Sequence, residues 1–283
     1  YILPMGAAIW STPEAEMLEY PALSFFNFFD NHRLMHRERP KWRTVSNGSR
    51  TYVQKFEAEL GDRIKAGHPV SRVSQFGNHV AVHTDKSPPQ IFDHVIMASH
   101  SDQSLAVLDD SFDRRRFMLR SVRYRPNDIY VHRDPALMPK RKAAWAAWNV
   151  LRQGTEDVCL TYWMNKLQGI PQQTPVFVTL NPAVPPKPEL TFHQFSFDHP
   201  QFDLAAEAAV REIKRTNGEN GLWLAGAWMG SGFHEDGLKS GLEVALSLGG
   251  RVPWSVEDVY PSPIPVGQQP VGETALKSVQ PGA

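Results

Sequence analysis

The stretch at 222–250, LWLAGAWMGSGFHEDGLKSGLEVALSLGG, constrains this chain more than any other. Its opening run, Leu222-Trp223-Leu224-Ala225, is long enough for one buried strand. Gly226 follows, then a loop of small residues with Gly230, Ser231 and Gly232. After His234-Glu235-Asp236, the residues Leu238, Leu242, Val244, Ala245 and Leu248 recur at helical spacing. Asp236 stands where an N-cap belongs, and Gly249-Gly250 where the helix stops. The order is strand, glycine loop, helix N-terminus. Such a terminus offers backbone N–H groups and a partial positive charge to an anion or an electron-rich ring edge. Any ordinary buried βα unit has the same order, and the residues alone leave both readings open.

The totals exclude several classes. With 283 residues the chain can form one large or two medium domains. Apolar content of 41% and charged content of 21% suit a soluble globular protein. Thirty basic residues balance thirty acidic ones, so no net field attracts nucleic acid or anionic lipid. The single Cys159 excludes an internal disulfide and a cysteine-rich metal site, and it fits a reducing cytoplasm. No apolar run approaches the roughly 20 residues that span a bilayer, and no signal peptide is visible. His132-Arg133-Asp134 mimics a kinase catalytic loop, but Pro139 stands where the metal-binding Asn would be. His234-Glu235 lacks a second His at helical spacing, so no metal site is expected.

In chain order, the start Tyr1-Ile2-Leu3-Pro4-Met5-Gly6 lacks an initiator Met and reads as mid-domain sequence. Ser11-Thr12-Pro13-Glu14 predicts a helix at 13–20. A second helix, 22–35, carries Leu23, Phe25, Phe26, Phe28, Phe29 and Leu34. That face reads first as core, and otherwise as the lining of an apolar channel or a peripheral membrane contact rimmed by His32, Arg33, His36 and Arg37. Asn47-Gly48 is a turn, and Ser49 caps a helix at 52–60. Alternation at 70–75 and 79–84, with Gly77-Asn78 between, predicts a hairpin. A further strand is expected at 91–98, then a short helix capped by Ser101-Asp102-Gln103. Strands are predicted at 121–133, 143–151, 158–165, 176–180 and 191–197. A helix at 202–215 has alanines at 205, 206, 208 and 209 for close approach. The tail after Gly250 is proline-rich and aperiodic, and is expected to be extended or disordered.

Strand, Ala225-Gly226, glycine loop and a helix with Ser240-Gly241 together resemble the C-terminal flavin-binding segment of flavin-containing amine oxidases and phytoene-desaturase-like enzymes. The string GFHEDGLKSG, with AAWAAWN, TYWMN and TLNP, resembles one subgroup. Its members are bacterial FAD-dependent oxidoreductases encoded beside cyclopropane-fatty-acid-synthase-type enzymes, and fused to such enzymes in plants. In that family a preceding segment carries the GxGxxG loop that grips the FAD pyrophosphate. No GxGxxG occurs here.

The resemblance implies an α/β fold: the C-terminal part of an FAD-binding Rossmann-like domain, interleaved with a mixed-sheet substrate domain that roofs the flavin. The implied segments are 1–40 and 111–198 for the substrate domain, 41–110 and 199–250 for the FAD domain, and 251–283 for the tail. It implies FAD as cofactor, held by Val70, Gly226, Trp228, Phe233, His234, Glu235, Asp236 and Gly237. Val70 would hold the adenine through its backbone, and Phe233 and Trp228 would shield the ring. Many amine oxidases carry an acid where this chain has Trp228. Trp145, Trp148, Asn149, Tyr162, Trp163 and Asn165 form the candidate substrate pocket, since aromatics with amides can frame a flat, orienting wall. They can equally be packing. Three readings of function follow: oxidation of an apolar, fatty-acyl-like substrate in the cytoplasm; amine oxidation with hydrogen peroxide as product; or a cofactor-free structural module. The partner is a small molecule or lipid. The residues do not fix the oligomeric state.

Overall fold

The computed structural model describes residues 2–38, 41, 43–151 and 159–252. The chain opens with helices α1 (Ile2–Trp10), α2 (Ala22–Asn31) and α3 (Arg50–Leu60). Strands β1 (Val70–Phe76), β2 (His79–Thr84), β3 (Ser87–Phe92) and β4 (Val95–Met97) follow, then helices α4 (Ser101–Val107) and α5 (Asp113–Leu119). Next come β5 (Tyr124–His132), β6 (Trp148–Leu151), β7 (Cys159–Trp163), α6 (Met164–Gln168), β8 (Phe177–Leu180) and β9 (Thr191–Pro200). The last elements are α7 (Leu204–Arg215), β10 (Leu222–Leu224) and α8 (His234–Ser247). Helices and sheets of mixed orientation make this an α/β protein, as the sequence implies.

The chain divides into two compact units, Tyr1–Pro69 with Ser121–Ala209, and Val70–Arg120 with Val210–Ala283. The first is built on a five-stranded antiparallel sheet in the order β6-β7-β8-β5-β9. Its helical end is an aromatic cluster in which Trp10 lies 4.9 Å from Phe28 and 4.4 Å from Tyr20. The second holds an antiparallel meander β1-β2-β3 and a parallel pair of β10 with β4. The hairpin turn at Gly77-Asn78 falls where the alternation places it.

Several expectations are corrected. The region 13–20 forms only a 3-10 turn, Glu16–Glu19. Thr12 does not cap it: the hydroxyl is buried, 3.1 Å from Gln201 Oε1 and 3.2 Å from Trp10 O. Helix α2 stops at Asn31 because Arg33 adopts a left-handed φ of 53°. Ser49 makes no capping hydrogen bond. Thr51 Oγ1 instead donates to Gly48 O at 2.9 Å. At α4 the N-cap is His100, whose N–H bonds Gln103 Oε1 at 3.3 Å. The expected strand at 91–98 is two strands in different sheets. β3 carries Pro88 and Pro89 and lies at the edge of the meander, where a missing N–H breaks no ladder. The expected tail beyond Val252 lies outside the described residues.

Candidate functional site

Within the second unit, β10 runs into Gly226 and a glycine loop that delivers the N-terminus of α8. Two hydrogen bonds of one hydroxyl set this connection. Ser240 Oγ, in the second turn of α8, accepts Gly226 N–H at 2.8 Å and donates to Gly237 O at 2.8 Å. Gly226 has φ 155°, and a Cβ there would lie 2.5 Å from Trp228 Nε1. A Cβ on Gly230 would collide with the Asp236 carboxylate. Glycine is required at 226 by the close approach of Trp228 and at 230 by that of Asp236 at the helix start.

Asp236 is not the N-cap. Phe233 occupies that position, and Asp236, three residues on, accepts the Phe233 N–H through Oδ2 at 3.0 Å. The first intrahelical bond is Gly237 N–H to Phe233 O at 3.2 Å. The helix N-terminus thus begins at His234 and Glu235, both exposed. It also carries two acids in its first turn. Those acids offset the positive end of the helix dipole, so the terminus suits a neutral, hydrogen-bond-accepting ring edge better than a phosphate.

The candidate cofactor residues separate into two groups. Gly226, Phe233, His234, Glu235, Asp236 and Gly237 gather around this one turn. Trp228 is only 3% exposed, and its indole N–H donates to Ser99 O at 3.2 Å. It locks the loop to the end of β4 and has no open face for a ring, which corrects its expected shielding role. Val70 is exposed at the start of edge strand β1, next to a register shift. The face of α8 is also corrected: Leu238 is exposed, while Ser240 and Val244 are buried.

In the first unit, the sheet divides the six candidate pocket residues. Register aligns Trp148, Tyr162, Val178, Val131 and His193 across all five strands on one face. The other face carries the row Asn149, Thr161, Thr179, Tyr130 and Gln194. Trp148 and Tyr162 meet edge to face at 5.1 Å. Trp145 packs at 5.4 Å from Trp163 and 5.6 Å from Phe177, the strand partner of His132. The six do not form one wall.

Both amides are committed to backbone. Asn149 is buried, accepts Ala146 N–H at 3.0 Å and donates to Ala146 O at 2.7 Å and Thr161 O at 3.3 Å. Asn165 accepts Val176 N–H at 2.7 Å and donates to Pro171 O and Thr174 O at 2.8 and 2.9 Å. Each holds a turn and spends both amide N–H donors on backbone, leaving none to donate to a substrate.

Sequence reasoning passed over a buried polar chain. Asp134 N–H donates to His132 Nδ1 at 3.1 Å, which assigns the ring proton to Nε2, 2.7 Å from Thr179 Oγ1. Thr179 in turn stands 2.7 Å from Thr161 Oγ1. Burial pulls His132 down to about 4, against the opposing pull of Asp134. The ring is neutral and fully enclosed. Only the register of β5, β8 and β7 brings these residues together. Burial also pushes the Tyr162 phenol up to about 12. Among the described residues no group of His, Cys, Asp and Glu could hold a metal ion.

The family model of flavin containing amine oxidoreductases matches residues 10–174, more than half of the chain. The chain belongs to this family, and its cofactor is FAD. A CLA-producing fatty acid isomerase from P. acnes has a similar structure, with TM-score 0.60 and 11% identity over 86% of this chain and 62% of that one. Cyclohexylamine oxidase from Brevibacterium oxydans gives 0.58 and 12% over 87% and 62%. A reduced UDP-galactopyranose mutase gives 0.57 and 12% over 88% and 64%. At such identities the likeness is one of fold. The chain spans about three fifths of the length of these structures. No curated protein matches it.

The turn at α8 fits a flavin edge on its own geometry. The close approach of Gly230 to Asp236 fixes the loop against the helix start. His234 and Glu235 would hold the cofactor there through main-chain N–H groups, whereas the Gly237 N–H is committed to Phe233 O. Bound FAD supplies the acceptor of hydride or electrons. The protein's part is to position it and to donate hydrogen bonds to its edge.

Proposed function

We propose that this chain serves the FAD-dependent oxidation of an apolar substrate of the fatty acyl class. The observation that carries this reading is the row Trp148, Tyr162, Val178 and Val131, aromatic and aliphatic side chains aligned across four adjacent strands. None of the four carries a charge. A hydrocarbon chain gains about 25 cal/mol for each Å² it buries on such a surface. The amides that would orient a polar substrate are spent elsewhere. The resemblance to the lipid-associated subgroup points the same way.

The test is anaerobic mixing of the FAD-loaded protein with a panel of long-chain fatty acids and of amines, following the visible flavin absorbance. Bleaching by fatty acids, slowed several-fold in Trp148→Ala, supports the reading. Bleaching by amines alone, with peroxide formed in air, sinks it in favour of amine oxidation. One observation supports that second reading: the edge-to-face Trp148–Tyr162 pair offers ring faces to an alkylammonium group.

A further inference from the structure

Helix α2 buries one face and leaves the other open. Phe28 and Phe29 are buried, while Leu23 and Phe26, one turn apart, are 72% and 54% exposed. After the left-handed turn at Arg33, the chain folds back beside that outer face. His36 Nε2 lies 2.7 Å from Asp30 Oδ1, so the acid on this face has a partner. Met35 is exposed in the same turn.

The charge that follows this apolar face in sequence is one-sided. The totals balance, yet positions 33–43 hold five cations against the single acid Glu38. The four that the structure describes, Arg33, Arg37, Lys41 and Arg43, are all exposed. Scattered exposed apolar residues need no explanation. Leu23, Phe26 and Met35 beside a run of cations do.

We propose that this surface docks on an anionic lipid bilayer. The apolar side chains would enter the headgroup boundary, and the cations would sit against lipid phosphates. A second copy of the chain would bring like charges together, and a nucleic acid would leave Leu23 and Phe26 unused. Among the described residues no helix is long and apolar enough to cross a membrane, so the contact is peripheral. The proposal does not rest on the flavin reading.

Flotation of the full chain with phosphatidylcholine vesicles, with and without phosphatidylglycerol, tests it. Binding is expected only with phosphatidylglycerol and is lost at high salt. Each cation near the surface strengthens partition about fivefold, so Arg33→Gln with Arg37→Gln should weaken it about thirtyfold. Phe26→Ser should weaken it several-fold, and Lys86→Gln, remote in sequence and in the second unit, should not. Unchanged melting curves establish that the variants are folded. Absence of flotation at low salt overturns the proposal, as does flotation that the arginine variant leaves intact. Two other results also overturn it: a dimer that Phe26→Ser dissolves with no vesicle binding, which indicates self-association, and oligonucleotide binding that needs the arginines but not Phe26, with no flotation.

Discussion

Ser240 and Gly226, fourteen residues apart, meet through a 2.8 Å hydrogen bond from backbone N–H to hydroxyl. The same hydroxyl donates to Gly237 O. A single buried side chain therefore ties the end of β10 to the second turn of α8 and fixes where the helix N-terminus points.

Ser240→Ala removes both bonds and leaves the Gly226 N–H without its partner. The expected loss is about 1–3 kcal/mol of stability, with weaker FAD retention. Thermal melting and flavin release on dilution read the two effects separately. A variant that melts lower but holds FAD as tightly would show that the bond supports the fold and not the cofactor.

Much of this unit was legible in the sequence, and the misreadings have physical causes. The apolar run, the glycines and the helical spacing define β10 and α8 because local periodicity decides them. The cap was misplaced because an acid can satisfy the first turn from the third helical position as well as from the cap itself. The buried face of α8 was misread because it centres on the hydroxyl of Ser240, which apolar periodicity does not count. In the sheet, strand parity alone puts Trp148 and Asn149 on opposite faces, and that signal was available. Thr12 could not be read, since its partner Gln201 is 189 residues away. Nor could the pairing of His132 with Thr179, which lies on another strand, β8.

Asn149 and Asn165 hold turns. Asn149→Ala and Asn165→Ala leave buried backbone groups unpaired, at a cost of about 1–3 kcal/mol for each group lost. Melting temperature should fall in both variants. Substrate KM, measured below the new melting temperature, should stay within about twofold, a change worth less than the 1.4 kcal/mol of a tenfold effect. A large rise in KM with unchanged melting would return these amides to the substrate site.

His132 makes stability depend on pH. The unfolded chain takes up the proton near pH 6.5, while the folded ring takes it up only near 4. Its contribution is full above pH 6.5 and is lost as pH falls towards 4, to a total of about 3 kcal/mol. Asp134 acts lower. Burial pushes its carboxyl up, but the N–H groups of Ala136 and Lys187 outweigh this and hold it below the usual carboxylate range. Melting curves of the protein should fall between pH 6.5 and 4, and those of His132→Gln should be flatter over that window. Parallel curves would remove His132 as the cause.

We propose that the turn from Gly226 into α8 holds the edge of FAD. Titration of FAD into the flavin-free chain, read by flavin fluorescence and visible absorbance, tests it most directly. Saturable, stoichiometric uptake that Gly230→Val abolishes, by driving a side chain into the Asp236 carboxylate, is the expected result. Uptake that Gly230→Val leaves unchanged, or no uptake by a correctly folded chain, would contradict the account.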